Sequence, residues 1–520
     1  MELGVRLVGV ILRILYVLTA PLFWLLARNT KSVSPIRDPI LLRSATNLVT
    51  AIRNGELTSE KVTYAFIGRI HEVNLQLNAV VDQRFREAME EARAVDGEVA
   101  AARSAGTLDQ LFKNKPLLGI PFTVKESCSL AGLSNAVGCV DWEGRRATSD
   151  GEAVARMRKA GGIPLLVSNT PELCLGWETT NLVTGTTNNP YCIARTSGGS
   201  SGGESALLGC GASVASVSSD IAGSIRIPAA FCGVFGHKPT PGLVPYEGHI
   251  PTLSDPLFPQ YLSVGPQCRF AEDLSLLLRV MAGPGALDET PVSCDKLRVF
   301  YKMEAGHSLA LIEVEPALRD VIERAALYLR DECGAALCHD NFKELENTVE
   351  MSVSMFFSMQ DIPNMLRDPD NPKRDKSLIL EIFKSLCGTS SRSLQALGFT
   401  LLHRTGLFIQ DTSRYCRLAE EFKDRIQRVL GADGVLLYPV FSSRAYRHGQ
   451  VFTRTSGFCY SMLFNVLGLP ATAVPCGLAP DGLPLSIQVI AAPHQDRLCF
   501  AVAKQLEKAF GGWNFPQMIT

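Results

Sequence analysis

The sequence predicts an α/β protein: one large domain on a mixed, twisted central sheet with helices on both sides, preceded by an apolar N-terminal helix. Three observations carry this reading. Short apolar runs bounded by Gly and Pro alternate with amphipathic stretches at the spacing of β-α-β units. Neither an internal repeat nor a domain boundary is visible after residue 40. Residues 5–27 are apolar apart from Arg6 and Arg13, and a helix of that length spans roughly 30 Å, about one bilayer core.

Residues 1–28 are therefore expected to be a helix that anchors the chain to a membrane, single-pass or membrane-associated. Three readings stay open: a spanning anchor, a cleaved signal peptide, and a helix lying on the membrane face. The run ends Leu25-Leu26-Ala27-Arg28, a poor match to the small-x-small site of a signal peptide. Tyr16 and Trp24 suit membrane interfaces, and Arg13 suits snorkelling from near one end. Basic residues flank the run on both sides (Arg6 and Arg13; Arg28, Lys31 and Arg37), so charge does not read the orientation. Residues 29–40 read as a Pro-containing linker and 41–520 as the main domain.

Thr58-Ser59-Glu60 gives helix-start signals ahead of an apolar face at Val62, Ala65, Phe66 and Ile70. Residues 78–81 predict a short strand and 85–105 a charged, alanine-rich helix. Residues 116–125 read as a buried strand that delivers Lys125 at its end. A helix over 151–160 and a strand over 162–168 follow. Residues 263–283 lead into a helix with Leu274, Leu277, Leu278 and Met281 on one face; 297–301 is a strand and 313–330 an amphipathic helix. Between 340 and 411 the pattern loosens into a cluster of Met355, Phe356, Phe357 and Met359. That cluster reads as core packing, or as an apolar wall for a long substrate or a second membrane contact. Residues 434–439 and 484–490 are strands, and 496–510 is a closing helix.

The 51 basic and 52 acidic residues nearly cancel, so no basic face is implied and nucleic acid is not an expected partner. The 15 cysteines include no C-x-x-C pair, which removes zinc-site and thioredoxin-like readings. Cys210, Cys232 and Cys459 lie in apolar surroundings and read as buried thiols. A reducing environment follows, with the main domain facing the cytosol as the expectation.

Residues 197–239 stand apart. They are nearly all glycine, serine and small apolar residues, and their only charged side chains are Glu204, Asp220, Arg226 and Lys238. Glycine allows tight turns and close backbone approach. Flexible linkers share this composition, but they do not carry an apolar insert of helix length, read here over 206–217. The phosphate-cradling G-x-x-x-x-G-K-[ST] pattern is missing from the stretch. The eight histidines show no spacing that ties one to a serine. Lysine is the other available base. Burial penalises an ammonium, and an uncharged lysine can take a proton from a serine. A lone lysine at a strand end is, by itself, more readily a surface charge.

Resemblance adds the rest. GGSSGGE at 198–204 and DIAGSIRIPAAFCGVFGHKPT at 220–240 closely resemble the amidase signature family. The strand ending in Lys125, the GPQCR stretch at 265–269 and the tail over 464–490 are similar to it too, so the likeness covers about residues 40–515. Within the family, the apolar N-terminus and strings such as ELCLGWETTN at 172–181 resemble the branch that hydrolyses fatty-acid amides. The resemblance implies the amidase signature fold and an amidase catalytic domain over 41–520. It implies a membrane-attached serine amidase that converts primary fatty-acid amides and N-acylethanolamines to free fatty acid and amine. Ser224 would be the nucleophile, Ser200, after a cis peptide, the bridging serine, and Lys125 the base. The amides of Ile221, Ala222, Gly223 and Ser224 would form the oxyanion hole. Ser201 and Arg226 would support the turn, Asp220 would orient it, and Cys174 would line the acyl pocket. No metal or cofactor is implied; the expected partners are the lipid amide and a membrane, with a homodimer left open. Hydrolysis of other amides or esters, and an inactive membrane scaffold, are the alternatives. One departure stands out: the family pattern DIGGS is DIAGS here, and Ala222 is harmless only if that position needs no positive φ.

Overall fold

The computed structural model describes residues 2–26, 31–306, 308–362, 364–367, 373–404 and 412–516. Among them, eleven strands form one mixed sheet. Their spatial order is Val80–Gln83, Ile163–Ser168, Pro121–Lys125, Ala215–Asp220, Ser263–Cys268, Phe235–Lys238, Ala471–Leu478, Pro484–Ala491, Gly434–Pro439, Arg298–Tyr301 and Ala336–Leu337. Pro121–Lys125 runs parallel to both of its neighbours, Ile163–Ser168 and Ala215–Asp220. Lys125 and Asp220 therefore leave the sheet at the same edge, the carboxyl ends of parallel strands, where α/β sheets place their sites. All three strands are buried along their whole length, which is why they read as apolar or small-residue runs without alternation.

Helices Phe85–Ser104, Pro316–Asp331 and Asp496–Phe510 pack on this sheet. Ser59–Leu77 starts where Thr58 accepts a hydrogen bond from the Lys61 amide at 3.1 Å, satisfying one of the unpaired donors of a first turn. The closing helix and the strand Gly434–Pro439 match their predicted limits.

The single helix expected over 206–217 is corrected. The chain forms a helix over Gly202–Gly209, turns, and enters the strand Ala215–Asp220. Gly211 sits at a φ of +77°, which stops a right-handed helix. The following Val214-Ala215-Ser216-Val217 then suits a buried strand. The strand expected over 116–125 starts only at Pro121, because Leu117 and Leu118 lie in turns closed by bonds from Leu118 to Lys115 and from Ile120 to Leu117. Residues 31–38 form no free spacer. Val33 is buried and its amide donates to the Pro190 carbonyl, while Arg69 donates to the Ser34 carbonyl at 2.6 Å.

Glu2–Leu26 is one helix, and its Gly4–Phe23 segment, of mean hydropathy 1.9, is long and apolar enough to cross a membrane. Leu7, Ile14, Val17, Leu18 and Leu22 face outward. Arg13 does not snorkel outward; it donates to the carbonyls of Ser308, at 3.0 Å, and Leu311. Tyr16 lies beneath the Arg454 guanidinium, 4.1 Å from the ring centroid. The side chain of Trp24, and residues 27–30 with Arg28 and the anchor–linker junction, lie outside the described residues.

The helix Gly202–Gly209 starts against the chain that leaves strand Ile163–Ser168. A Cβ on Gly203 would fall 2.7 Å from both the amide nitrogen and the carbonyl oxygen of Asn169. Neither backbone atom can move aside alone. Gly203→Ala is expected to cost about 1–3 kcal/mol, read as a lower urea midpoint at unchanged slope.

Candidate active site

Three segments converge at the sheet edge: the end of strand Pro121–Lys125, the Gly198–Gly203 loop, and the turn after strand Ala215–Asp220. Lys125 is fully buried. Its Nζ lies 2.7 Å from Ser200 Oγ, 3.0 Å from Ser219 Oγ and 3.5 Å from the Ser219 carbonyl oxygen. The Gly199–Ser200 peptide is cis. Ser201 ties the two turns together: its amide donates to the Ser224 carbonyl at 3.1 Å and its hydroxyl to the Ser219 carbonyl at 3.3 Å.

The turn over 221–225 is wrapped around the Asp220 carboxylate. Oδ1 accepts from the Gly223 amide at 2.7 Å, and Oδ2 from the Ile225 amide at 3.1 Å. Arg226 closes the other side, its Nε 3.0 Å from Oδ2 and its NH2 group 3.1 Å from Oδ1. The guanidinium is in turn held by the Ser461 carbonyl, Gln488 Oε1 and Asn465 Oδ1 at 2.7–2.9 Å. Burial alone would raise the Asp220 pKa, but the Arg226 charge and the bonds from Arg226 and Asn465 outweigh it and hold the carboxyl well below its usual range.

This geometry divides the four amides expected to hold an oxyanion. The Gly223 amide is turned inward to Asp220 and serves the turn. Among the described residues, the amides of Ile221, Ala222 and Ser224 have no acceptor. Gly223 carries a φ of +96°, and Ala222 is not among the residues of positive φ. The Ala222 carbonyl accepts from Trp177 Nε1 at 3.1 Å, and Trp177 stacks on Phe458.

Ser200, Ser219, Ser224 and His249 share one cavity of about 60 Å³ with Cys174. Its other walls are apolar and include Ile221, Leu253, Phe258, Phe356, Met359 and Phe399. Of the Met/Phe cluster, Met355, Phe356 and Met359 pack in the core, and Phe356 and Met359 also line the cavity. Among the described residues, no hydrogen bond joins Ser200 Oγ to Ser224 Oγ. Among the described residues, no three His, Cys or acidic side chains converge as a metal would need. Glu204, buried beneath the sheet edge, accepts from Thr123 Oγ1, and burial pushes its pKa up to about 7.

The structure brings together Lys125, Ser200, Ser201, Asp220, Ile221, Ala222, Gly223, Ser224, Arg226 and Cys174. Sequence reading missed Ser219, His249, Asn465 and Gln488. Ser219 lay inside the small-residue stretch. His249 carried no local signal, because only the fold brings it to residue 219.

Residues 61–500 match the family model described as Amidase. The chain belongs to the amidase family, and it is an amide-hydrolysing enzyme. It is similar to fatty-acid amide hydrolase 2 of Homo sapiens, 37% identical over 519 residues, covering 98% of this chain and 96% of that one. It is also 39% identical over 505 residues to fatty-acid amide hydrolase 2-A of Danio rerio, covering 94% of this chain and 92% of the relative. A solved structure described as fatty acid amide hydrolase superposes with a TM-score of 0.69 at 21% identity, over 91% of this chain and 86% of that one; at that identity the likeness concerns the fold.

Breaking a buried ion pair by removing one partner typically costs about 3–5 kcal/mol. Asp220→Asn is expected to lose stability in that range at pH 7, measured by chemical denaturation. The folded Asp220 pKa lies below its unfolded value of about 3.9. Its contribution is therefore complete above about pH 4 and is lost as pH falls through the lower folded value. The variant should show a flatter acid limb than the wild type.

Proposed function

We propose that this chain hydrolyses fatty-acid amides through an acyl-enzyme on Ser224. The observation that carries the reading is the 2.7 Å approach of Lys125 Nζ to Ser200 Oγ, which lines the same cavity as Ser224. Lys125, as the neutral amine, takes the Ser200 proton while Ser200 takes that of Ser224. The Ser224 oxygen attacks the amide carbonyl. The proton held on Lys125 then returns through Ser200 to the nitrogen of the leaving amine, and water later frees the fatty acid from the ester. Hydrogen bonds in unliganded sites are often long and tighten with substrate, so the Ser200–Ser224 leg is expected to close on binding. The amides of Ile221, Ala222 and Ser224 offer donors to the developing oxyanion, and one such donor is worth about 3 kcal/mol.

The acyl-chain assignment is supported by the named relatives and by the apolar walls. The outward face of Glu2–Leu26 supports attachment to the membrane where such substrates dissolve. A 60 Å³ cavity has room for only a few waters. A long chain therefore enters only if Phe356, Met359 and Phe399 part. Short amides are the competing reading, and the small size of the cavity is the observation in their favour.

A fluorophosphonate probe should label Ser224 in the wild type and leave Ser224→Ala unlabelled. Lys125→Ala should slow labelling by about 10²–10⁴-fold, the usual worth of a general base. An oleoyl amide should be turned over with a higher kcat/KM than a short acyl amide. The opposite order would remove the lipid assignment and leave the amidase; unimpaired labelling of the Lys125 variant would remove the base.

A further inference from the structure

Lys125 has partners on two sides, and the second side ends in a histidine. His249 is buried, with Nδ1 3.0 Å from the Pro251 carbonyl oxygen and Nε2 2.9 Å from Ser219 Oγ. A carbonyl only accepts, so in the neutral ring the hydrogen sits on Nδ1 and Nε2 is left as an acceptor. Burial keeps the ring neutral, its pKa pushed down to about 3. The Ser219 hydroxyl must then donate to Nε2, and its lone pairs face Lys125 Nζ at 3.0 Å. Ser127 Oγ is the other hydroxyl near Ser219 Oγ, but at 3.5 Å it is the weaker partner.

The consequence falls on the lysine. A neutral amine has two N–H bonds and one lone pair. Ser219 Oγ and the Ser219 carbonyl, at 3.0 and 3.5 Å, are acceptors for the two hydrogens. The neighbour that remains is Ser200 Oγ at 2.7 Å, and it receives the lone pair. Were the Ser219 hydrogen free to swing back, it would compete with Ser200 for that lone pair.

We propose that His249 is a positioning residue: acting through Ser219, it turns the Lys125 lone pair toward Ser200. Although His249 borders the cavity, this role runs through the hydroxyl and not through substrate. The proposal rests on the reading of Lys125 as the base.

The test is a cycle of His249→Ala, Ser219→Ala and the double variant in the full chain, with kcat and KM measured on an oleoyl amide. Each single change should lower kcat by about 10- to 100-fold, a part of what a general base contributes, with KM within about twofold. Because the two residues form one chain, the double variant should be no worse than the worse single one. His249→Gln, whose amide oxygen can accept the Ser219 hydrogen, should recover most of the loss. A normal kcat in His249→Ala, or losses that multiply in the double variant, would overturn the proposal. If His249→Ala does not fold, Ser219→Ala carries the test from the other end of the chain, and a normal kcat there is equally fatal. Lys125→Ala separates the two levels. If it still labels at the wild-type rate, the base assignment fails; if it is inactive while His249→Ala is not, only the proposal fails.

Discussion

The buried pair of Asp220 and Arg226 is the constraint on which the site depends. Two charges taken out of water cost several kcal/mol each, and their attraction offsets this only when the geometry is good and the remaining atoms are bonded. Both conditions are met. The guanidinium meets the carboxylate through two nitrogens, and its other donors reach Ser461, Gln488 and Asn465. The carboxylate is filled by the amides of Gly223 and Ile225 and by Asn465. The turn that presents Ser224 is therefore shaped from the inside, by an anion that gathers some amides inward. The amides that are not gathered, those of Ile221, Ala222 and Ser224, are the donors on which the proposed oxyanion site draws. One carboxylate both rigidifies the turn and selects which donors it offers.

The same economy appears at the lysine. Lys125 ends a strand buried on both faces, so its amine has no water to solvate it and takes its partners from two other segments. Ser200 comes from the glycine loop and Ser219 from the adjacent parallel strand. Placing the amine required a sheet edge where parallel strands stop together, and placing Ser200 required a backbone tight enough to reach that edge. The apolar walls raise the weight of these few polar contacts, since electrostatic interactions strengthen where water is thin. The N-terminal helix adds the outer layer. Its polar face is tied down through Arg13 and Tyr16, which leaves its leucines outward. In this structure the helix is part of the surface of the domain and not a free tether.

Much of this was legible in the residues. Fully buried strands such as Gly434–Pro439 are short, apolar and bounded by turn formers, and the closing helix Asp496–Phe510 has one clear apolar face. Other elements carry no such mark. Phe235–Lys238 and Ala471–Leu478 pass through His237, Lys238, Thr472 and Pro475, so neither reads as a clean run. Their polar atoms are satisfied only by distant partners, as where His237 meets Thr472 and Asp496. The helix and strand within 206–217 were merged because Ala, Ser and Gly discriminate weakly between the two, and one positive φ at Gly211 decides the break. At the site, the residues on the small-residue stretch were found together because they are close in sequence. His249 was not, because its meaning lies in a contact across thirty residues of chain.

The alanine at position 222 shows how such a departure is to be weighed. Two adjacent glycines in a turn invite the assumption that both are needed for their φ. Here the left-handed backbone falls on Gly223, where a Cβ would also come within 2.6 Å of Ile227 and 2.7 Å of Ser461. Ala222 adopts no such conformation, and its methyl group packs in the apolar cluster beside the cavity. Its carbonyl is fixed by Trp177, so the peptide plane it shares with the Gly223 amide is held by a bond that does not involve its side chain. A methyl group here joins that apolar cluster without bending the turn. The physical demand of the turn is thus for one glycine, at 223, and the change at 222 acts on apolar packing and not on the backbone conformation.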